Sequence, residues 1–255
     1  MNDFSALGPI YDRFNQGAHY DDYAQWINQQ FKNRCQLKRS YQPRMVDVGC
    51  GTGEMSLRFA SRGYDVIGVD LSPTMLNIAM DKAIPHPNLS LMYVRQDMQN
   101  LSMDAKANLI ISCYDTLNYL PDEKSLFRTI RRISDHLCSG GVFILDVNTL
   151  WRFESHYGNN TFVFKRNGEV LIWENHYDPQ EKVLEFHVDV FAKTPPGLMY
   201  KRSREDLVQR YFSPETVMLA LKRAGFYNLV QTGENAFLYP KIPIEHRHIF
   251  IAQKP

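Results

Sequence analysis

The chain has 255 residues, 44% of them hydrophobic, enough to bury a sizeable core as one large domain or two small ones. Its formal net charge of +1 gives no general field to gather nucleic acid or an acidic membrane, and no apolar run approaches the ~20 residues that cross a bilayer. Met1-Asn2-Asp3-Phe4-Ser5 lacks the basic and apolar stretches of a secretory signal, and Cys35, Cys50, Cys113 and Cys138 lie far apart with no Cys-x-x-Cys pair, so reduced thiols in the cytoplasm are expected rather than a disulfide frame or a zinc site.

Residues 1–40 are polar and aromatic, with Tyr11-Asp12-Arg13-Phe14 followed by Tyr20-Asp21-Asp22-Tyr23. Tyr23, Trp26, Ile27 and Phe31 recur at helical spacing, which predicts a helical cap packed on the main body. From Arg44 to Asn148, strand and helix patterns alternate. Strands are expected near 44–48, 64–69, 89–94, 108–112 and 142–147, and helices near 53–62, 73–83 and 122–137. Ser72-Pro73 supplies an N-cap with proline at the first helical position, and Gly140-Gly141 reads as the end of the last helix. Continuous apolar strands separated by helices imply a parallel sheet covered on both faces.

After Asn148 the pattern changes. Two alternating runs, 161–166 and 169–173, flank Asn167-Gly168, a strong hairpin signal. In the next run Leu184, Phe186, Val188 and Val190 alternate with Glu185, His187 and Asp189. Residues 153–212 are therefore expected to form an antiparallel β insert. Ser213-Pro214-Glu215 then opens a helix that Gly225-Phe226 closes, and strands near 226–232 and 246–252 follow.

The first strand carries the chemistry. Met45-Val46-Asp47-Val48 runs into Gly49-Cys50-Gly51-Thr52-Gly53-Glu54, a loop whose glycines let backbone approach a bound molecule. The second strand ends on Asp70, a carboxylate placed to grip the two hydroxyls of a ribose. A dinucleotide fingerprint needs a third glycine where this chain has Glu54, and a carboxylate there suits a pyrophosphate poorly. It is tolerable beside a nucleoside that carries an ammonium and no phosphate, such as S-adenosylmethionine.

Val46-Asp47-Val48-Gly49-Cys50-Gly51-Thr52-Gly53 resembles the first motif of the class I S-adenosylmethionine-dependent methyltransferases. Val66-Ile67-Gly68-Val69-Asp70-Leu71-Ser72 resembles the second, with Met75-Leu76 following. Gln96-Asp97-Met98 is similar to the adenine-binding segment, and Cys113-Tyr114-Asp115-Thr116-Leu117-Asn118 to the segment beneath the methionine part. More loosely, the N-terminal segment, the insert and Gln209-Arg210-Tyr211 resemble small bacterial methyltransferases of the YqeM-like and sugar-amine N-methyltransferase type. The resemblance implies an α/β fold: a Rossmann-like, doubly wound, seven-stranded sheet with the antiparallel β insert after the fifth strand. It divides the chain into an N-terminal helical cap at 1–40, a cofactor-binding α/β domain at 41–152 and 213–255, and an insert at 153–212 that serves as a substrate lid.

It also implies roles. S-adenosyl-L-methionine would be held by Tyr11, Asp47, Gly49, Cys50, Gly51, Asp70, Leu71, Met75, Asp97, Met98 and Cys113. Asp70 would take the ribose hydroxyls, Asp97 the adenine amino group and the Met98 amide a ring nitrogen, while Cys113 would offer its carbonyl to the cofactor's amino group. Tyr20, Tyr119, Asn148, Trp151, Trp173 and Tyr177 are candidates for a substrate pocket, since aromatic faces attract a sulfonium or an amine. His176, His187 and Tyr211 are candidate bases, needed only if the acceptor arrives protonated; Glu174 and Glu185 stand behind them. No metal is expected, because His246 and His248 at alternate strand positions do not make a coordination site.

The expected activity is methyl transfer to a nitrogen or oxygen of a small molecule, because an insert at the carboxyl edge favours a closed pocket. RNA or protein methylation is the alternative, on Lys38-Arg39, Arg131-Arg132 and Lys201-Arg202-Ser203-Arg204, though the modest charge disfavours a polynucleotide. A catalytically silent subunit that binds cofactor is a third reading. A monomer and a homodimer are equally compatible with the sequence.

Overall fold

A computed structural model describes residues 4–35, 37, 41–194, 199–238 and 241–255. The main sheet contains β1 (Arg44–Val48), β2 (Asp65–Asp70), β3 (Leu91–Arg95), β4 (Ala107–Ser112), β5 (Leu137–Asn148), β10 (Tyr227–Gly233) and β11 (Arg247–Gln253), in the order β10-β11-β5-β4-β1-β2-β3. Pairing is parallel except around β11, which runs antiparallel to both β5 and β10. The order turns back between β1 and β4, so the crevice for a ligand opens at their carboxyl ends.

The helices α3 (Glu54–Ala60), α4 (Pro73–Ala83), α5 (Glu123–Asp135) and α6 (Pro214–Arg223) connect these strands. Ser72 and Ser213 cap α4 and α6 as expected, accepting the backbone N–H of Met75 and Thr216 at 3.2 Å each. One boundary differs from the sequence expectation. α5 stops at Asp135, and Gly140-Gly141 lie inside the long strand β5 rather than at a helix end. Gly140 takes a positive φ of 74° where the pairing of β4 with β5 slips register, so this glycine serves a bulge.

A second, antiparallel sheet follows β5: β6 (Thr161–Arg166), β7 (Glu169–Asp178), β8 (Val183–Thr194) and β9 (Met199–Arg210), in chain order. A π-helical turn, Arg152–Tyr157, joins it to the main sheet and has no forerunner in the sequence pattern.

The N-terminal segment divides between two cores. α2 (Tyr20–Arg34) buries Tyr23, Ala24, Ile27 and Phe31 against the main sheet, beside Met45, Val66 and Ile144. The short α1 (Gly8–Phe14) buries Ile10 with Leu7 in the core of the second sheet, beside Phe186 and Leu207. Residues 4–20 thus bridge the two sheets over the β1/β4 crevice. Among the described residues, no helix is long and apolar enough to cross a membrane.

Candidate active site

A cavity of about 670 Å³ opens at the carboxyl ends of β1, β2 and β4. All eleven residues proposed from sequence for the cofactor line it: the loop residues Gly49, Cys50 and Gly51 with Asp47 below; Asp70, Leu71 and Met75 after β2; Asp97 and Met98 after β3; Cys113 after β4; and Tyr11 from α1. Local geometry explains the loop. Gly49 has φ +73°, and a Cβ there would stand 2.1 Å from Thr116 Cγ2. Gly51 has φ +53°, and a Cβ there would meet no protein atom within 4 Å, so the missing side chain leaves open space at the cavity wall.

The carboxylates are held firmly. Asp70 Oδ2 accepts the Gly51 N–H at 2.8 Å and Oδ1 accepts the Ser72 N–H at 2.9 Å. Burial pushes the Asp70 carboxyl upward, and these N–H groups oppose the shift. Asp97 caps a 3-10 turn through the Gln99 N–H at 2.9 Å while lining the cavity, so structural and ligand-facing positions coincide. Asp47 is buried, accepts the Ser56 hydroxyl at 2.6 Å and is pushed up to about 7, chiefly by burial. Glu54 is engaged by Lys82 at 2.6 Å and by Arg58; it is a structural ion-pair member as well as a wall residue.

A second cavity of about 470 Å³ adjoins the first, between α1, α2 and the inner face of the second sheet. Phe4, Tyr11, Tyr20, Tyr114, Asp115 and Tyr119 line both, forming the junction. Of the residues expected to line a substrate pocket, Tyr20 and Tyr119 therefore stand at the junction, and Trp173 lines the second cavity alone.

The other sequence candidates lie elsewhere. Asn148 is buried behind the wall, donating to Gln209 Oε1 at 3.1 Å and accepting Arg152 Nη1 at 2.8 Å. Trp151 stacks on His246, with ring centroids 5.4 Å apart, and Tyr177 packs on Phe153 at 5.8 Å. None of these three lines either cavity. The candidate bases are also displaced. Strand alternation gives the inner face to Phe186, Val188 and Leu207, so Glu174, His176, Glu185 and His187 point outward. His187 Nδ1 sits 2.7 Å from Asp206 on that outer side, and Tyr211 packs edge-on against Phe153 at 5.8 Å. The basic runs are neutralised in part: Arg202 pairs with Asp189 at 2.8 Å, Arg204 with Asp206 at 3.0 Å and Arg131 with Asp135 at 3.3 Å. Lys38-Arg39 lie outside the described residues.

Sequence reasoning passed over a buried polar network at the junction. Arg247 meets Glu234 at 2.7 Å, Asp115 at 3.1 Å and Asp146 at 3.7 Å. Gln209 donates to Asp115 Oδ2 at 2.7 Å, and Arg152 lies 3.8 Å from Asp115. Burial works against the Arg247 charge, and the three carboxylates outweigh it. Tyr114 and Asp115 both adopt φ 58°, a left-handed conformation that is uncommon for such residues and holds the carboxylate at the junction. Asp115 stood within the quoted Cys113-Tyr114-Asp115 segment; Arg247, between His246 and His248 where the last strand begins, had no signal of its own.

Residues 45–141 match the family described as "Methyltransferase domain". YqeM of Bacillus subtilis (strain 168), a protein named as a methyltransferase, is 27% identical over 252 residues, 98% of this chain and 97% of that one. A dTDP-3-amino-3,4,6-trideoxy-alpha-D-glucopyranose N,N-dimethyltransferase of Streptomyces venezuelae is 27% identical over 194 residues, 74% of this chain and 76% of its own length. A solved S-adenosylmethionine-dependent methyltransferase from Clostridium acetobutylicum ATCC 824 shares the fold with a TM-score of 0.84 at 24% identity, covering 98% of each chain.

Proposed function

We propose that this chain, a member of the class I S-adenosylmethionine-dependent methyltransferases, methylates a nitrogen or oxygen of a small molecule enclosed in the second cavity. The observation that carries the reading is the junction: two cavities of cofactor and small-molecule size meet across one ring of aromatic residues and Asp115. A polymer would need an open groove, whereas residues 4–20 and the second sheet close over this site. The sugar-amine methyltransferase among the relatives supports a small acceptor.

The cofactor fits the first cavity on two counts. Gly51 leaves room beside the wall where a Cβ would intrude, and Asp70 presents a fixed carboxylate next to that space. We assign Asp70 to the ribose hydroxyls, Asp97 and the Met98 amide to the adenine edge, Leu71, Met75 and Met98 to its faces, and Gly49, Gly51 and Cys113 to the amino-acid end. When bound, S-adenosylmethionine supplies a methyl group on a sulfonium, and this intrinsic reactivity requires alignment more than acid–base help. Tyr11, Tyr20 and Tyr119 supply aromatic faces at the junction and exclude water. Asp115, fixed by Arg247 and Gln209, is the carboxylate that lines both cavities. The second sheet acts as the lid, and the chain's four free cysteines suit the reducing cytoplasm.

The test is a product assay. Purified protein with S-adenosylmethionine and a panel of small amines, phenols and carboxylic acids should release S-adenosylhomocysteine with at least one acceptor. Turnover with bulk RNA or protein substrates and none with any small molecule would overturn the reading.

A further inference from the structure

Resting on the methyltransferase reading above, the geometry points to an acceptor that is an amphiphilic amine, with an apolar body against the second sheet and no phosphate handle. The wall of the second cavity carries this. Leu171, Trp173, Phe186, Val188 and Leu207 form one continuous apolar surface on β7, β8 and β9, with Phe186 paired to Leu207 and Trp173 to Val188 across the strands. Two polar residues on the same inner face are already engaged, Gln209 with Asp115 and Asn148 and Glu205 with the backbone N–H groups of Phe4 and Ala6, while the Trp173 indole N–H and Asn175 Oδ1 are buried without a partner. A ligand pressed against this wall gains by burying apolar surface, and a sugar ring would find too few partners there for its several hydroxyls.

The charges point the same way. A nucleoside diphosphate needs cations with free donors, best presented as bidentate guanidinium forks. The guanidiniums lining this cavity are Arg152 and Arg247, and both face carboxylates. Arg247 is shared by Asp115, Asp146 and Glu234, while Arg152 donates to Asn148, lies 3.8 Å from Asp115 and keeps one buried Nε–H without a partner. His19 sits 3.2 Å from Asp22, and His246 is held below its ordinary value by burial and by Arg152, so it is neutral near pH 7. Among the described residues lining this cavity, the carboxylates Asp115 and Glu234 match the two guanidiniums, so no net positive charge is left to draw in a dianion. This balance favours a neutral or cationic headgroup, as do the faces of Tyr11, Tyr20, Tyr114 and Tyr119 at the junction. The amine is placed at Asp115 and the apolar body at the wall. The acceptor class thereby differs from the nucleotide amino sugar named for the Streptomyces relative.

Calorimetry on the full chain saturated with S-adenosylhomocysteine tests this, with tryptamine, glucosamine and dTDP as probes. Tryptamine is expected to bind about tenfold or more tightly than glucosamine, with no heat from dTDP. Trp173→Ala should weaken tryptamine binding by about tenfold, Trp173→Phe should restore most of it, and both should keep the parent affinity for S-adenosylhomocysteine. Binding of dTDP, glucosamine equal to or tighter than tryptamine, no binding of either amine, or a Trp173→Ala variant that keeps S-adenosylhomocysteine affinity and full tryptamine affinity would each overturn the proposal. Failure of the parent chain to bind S-adenosylhomocysteine would strike the methyltransferase reading instead.

Discussion

The carboxylate of Glu205 accepts the backbone N–H of Phe4 at 2.9 Å and that of Ala6 at 2.8 Å, tying the N-terminal segment to β9 across 201 and 199 positions of sequence. Arg13 pairs with Glu169 at 2.6 Å on the same sheet, while Asp12 reaches Lys82 at 2.6 Å on the main body. The segment is thus a strap fastened at both sides above the two cavities.

Loosening one end should therefore speed ligand exchange. Glu205→Ala removes two charge-assisted hydrogen bonds, and the dissociation rate of S-adenosylhomocysteine, followed by stopped-flow fluorescence, is expected to rise by about tenfold. An unchanged rate in a folded variant would argue that the strap does not gate the site.

Asp70 is held by two backbone N–H groups and still faces the cavity, so its removal should act on the ligand. Asp70→Ala is expected to weaken S-adenosylmethionine binding by roughly 1–3 kcal/mol through lost hydrogen bonds to ionised oxygen. Unchanged affinity by calorimetry in a folded variant would sink the ribose assignment.

Gly51→Ala separates backbone strain from occupied space. At φ +53° an alanine costs about 1–2 kcal/mol, a modest drop in thermal stability, because its Cβ meets no protein atom within 4 Å. That Cβ extends into the cofactor cavity, so affinity for S-adenosylhomocysteine should fall by at least about tenfold. Equal affinity with reduced stability would place the cofactor elsewhere.

Asp47 makes stability depend on pH. Its carboxyl titrates at about 7 in the folded chain, mainly because it is buried, and near ~3.9 when unfolded. Between those values the folded state holds the extra proton, so stability falls as pH rises through the window, by about 4 kcal/mol at most. Asp47→Asn keeps an acceptor for the Ser56 hydroxyl and removes this loss. The variant should gain stability over the parent at pH 8 and little at pH 4.5 in urea unfolding of the ligand-free protein. An equal difference at both pH values would contradict the assignment.

The lining of the first cavity was legible because its determinants are local. A glycine with positive φ, a carboxylate closing a strand and a cap opening a helix each depend on a few neighbouring residues, and Gly49, Asp70 and Ser72 needed no long-range information. The lining of the second cavity was not. His176, Glu185 and His187 alternate with apolar residues as a cavity wall or a wet face would, and strand periodicity is identical for the two. Asn148, Trp151 and Tyr177 were sound aromatic or polar candidates, yet each is spent on packing or on hydrogen bonds behind the wall.

The order of strands and helices, the antiparallel insert and the cavity-bearing edge of the sheet were readable from residue pattern, because periodicity, capping and glycine conformation act over a few residues. Tertiary structure alone decided which face of the second sheet looks inward, how residues 4–20 strap both sheets together, and that Arg247 meets Asp115 across 132 positions. The reason is physical: a strand offers two faces, and only burial against another element chooses between them. A buried charge likewise finds its partners only when distant segments fold around it.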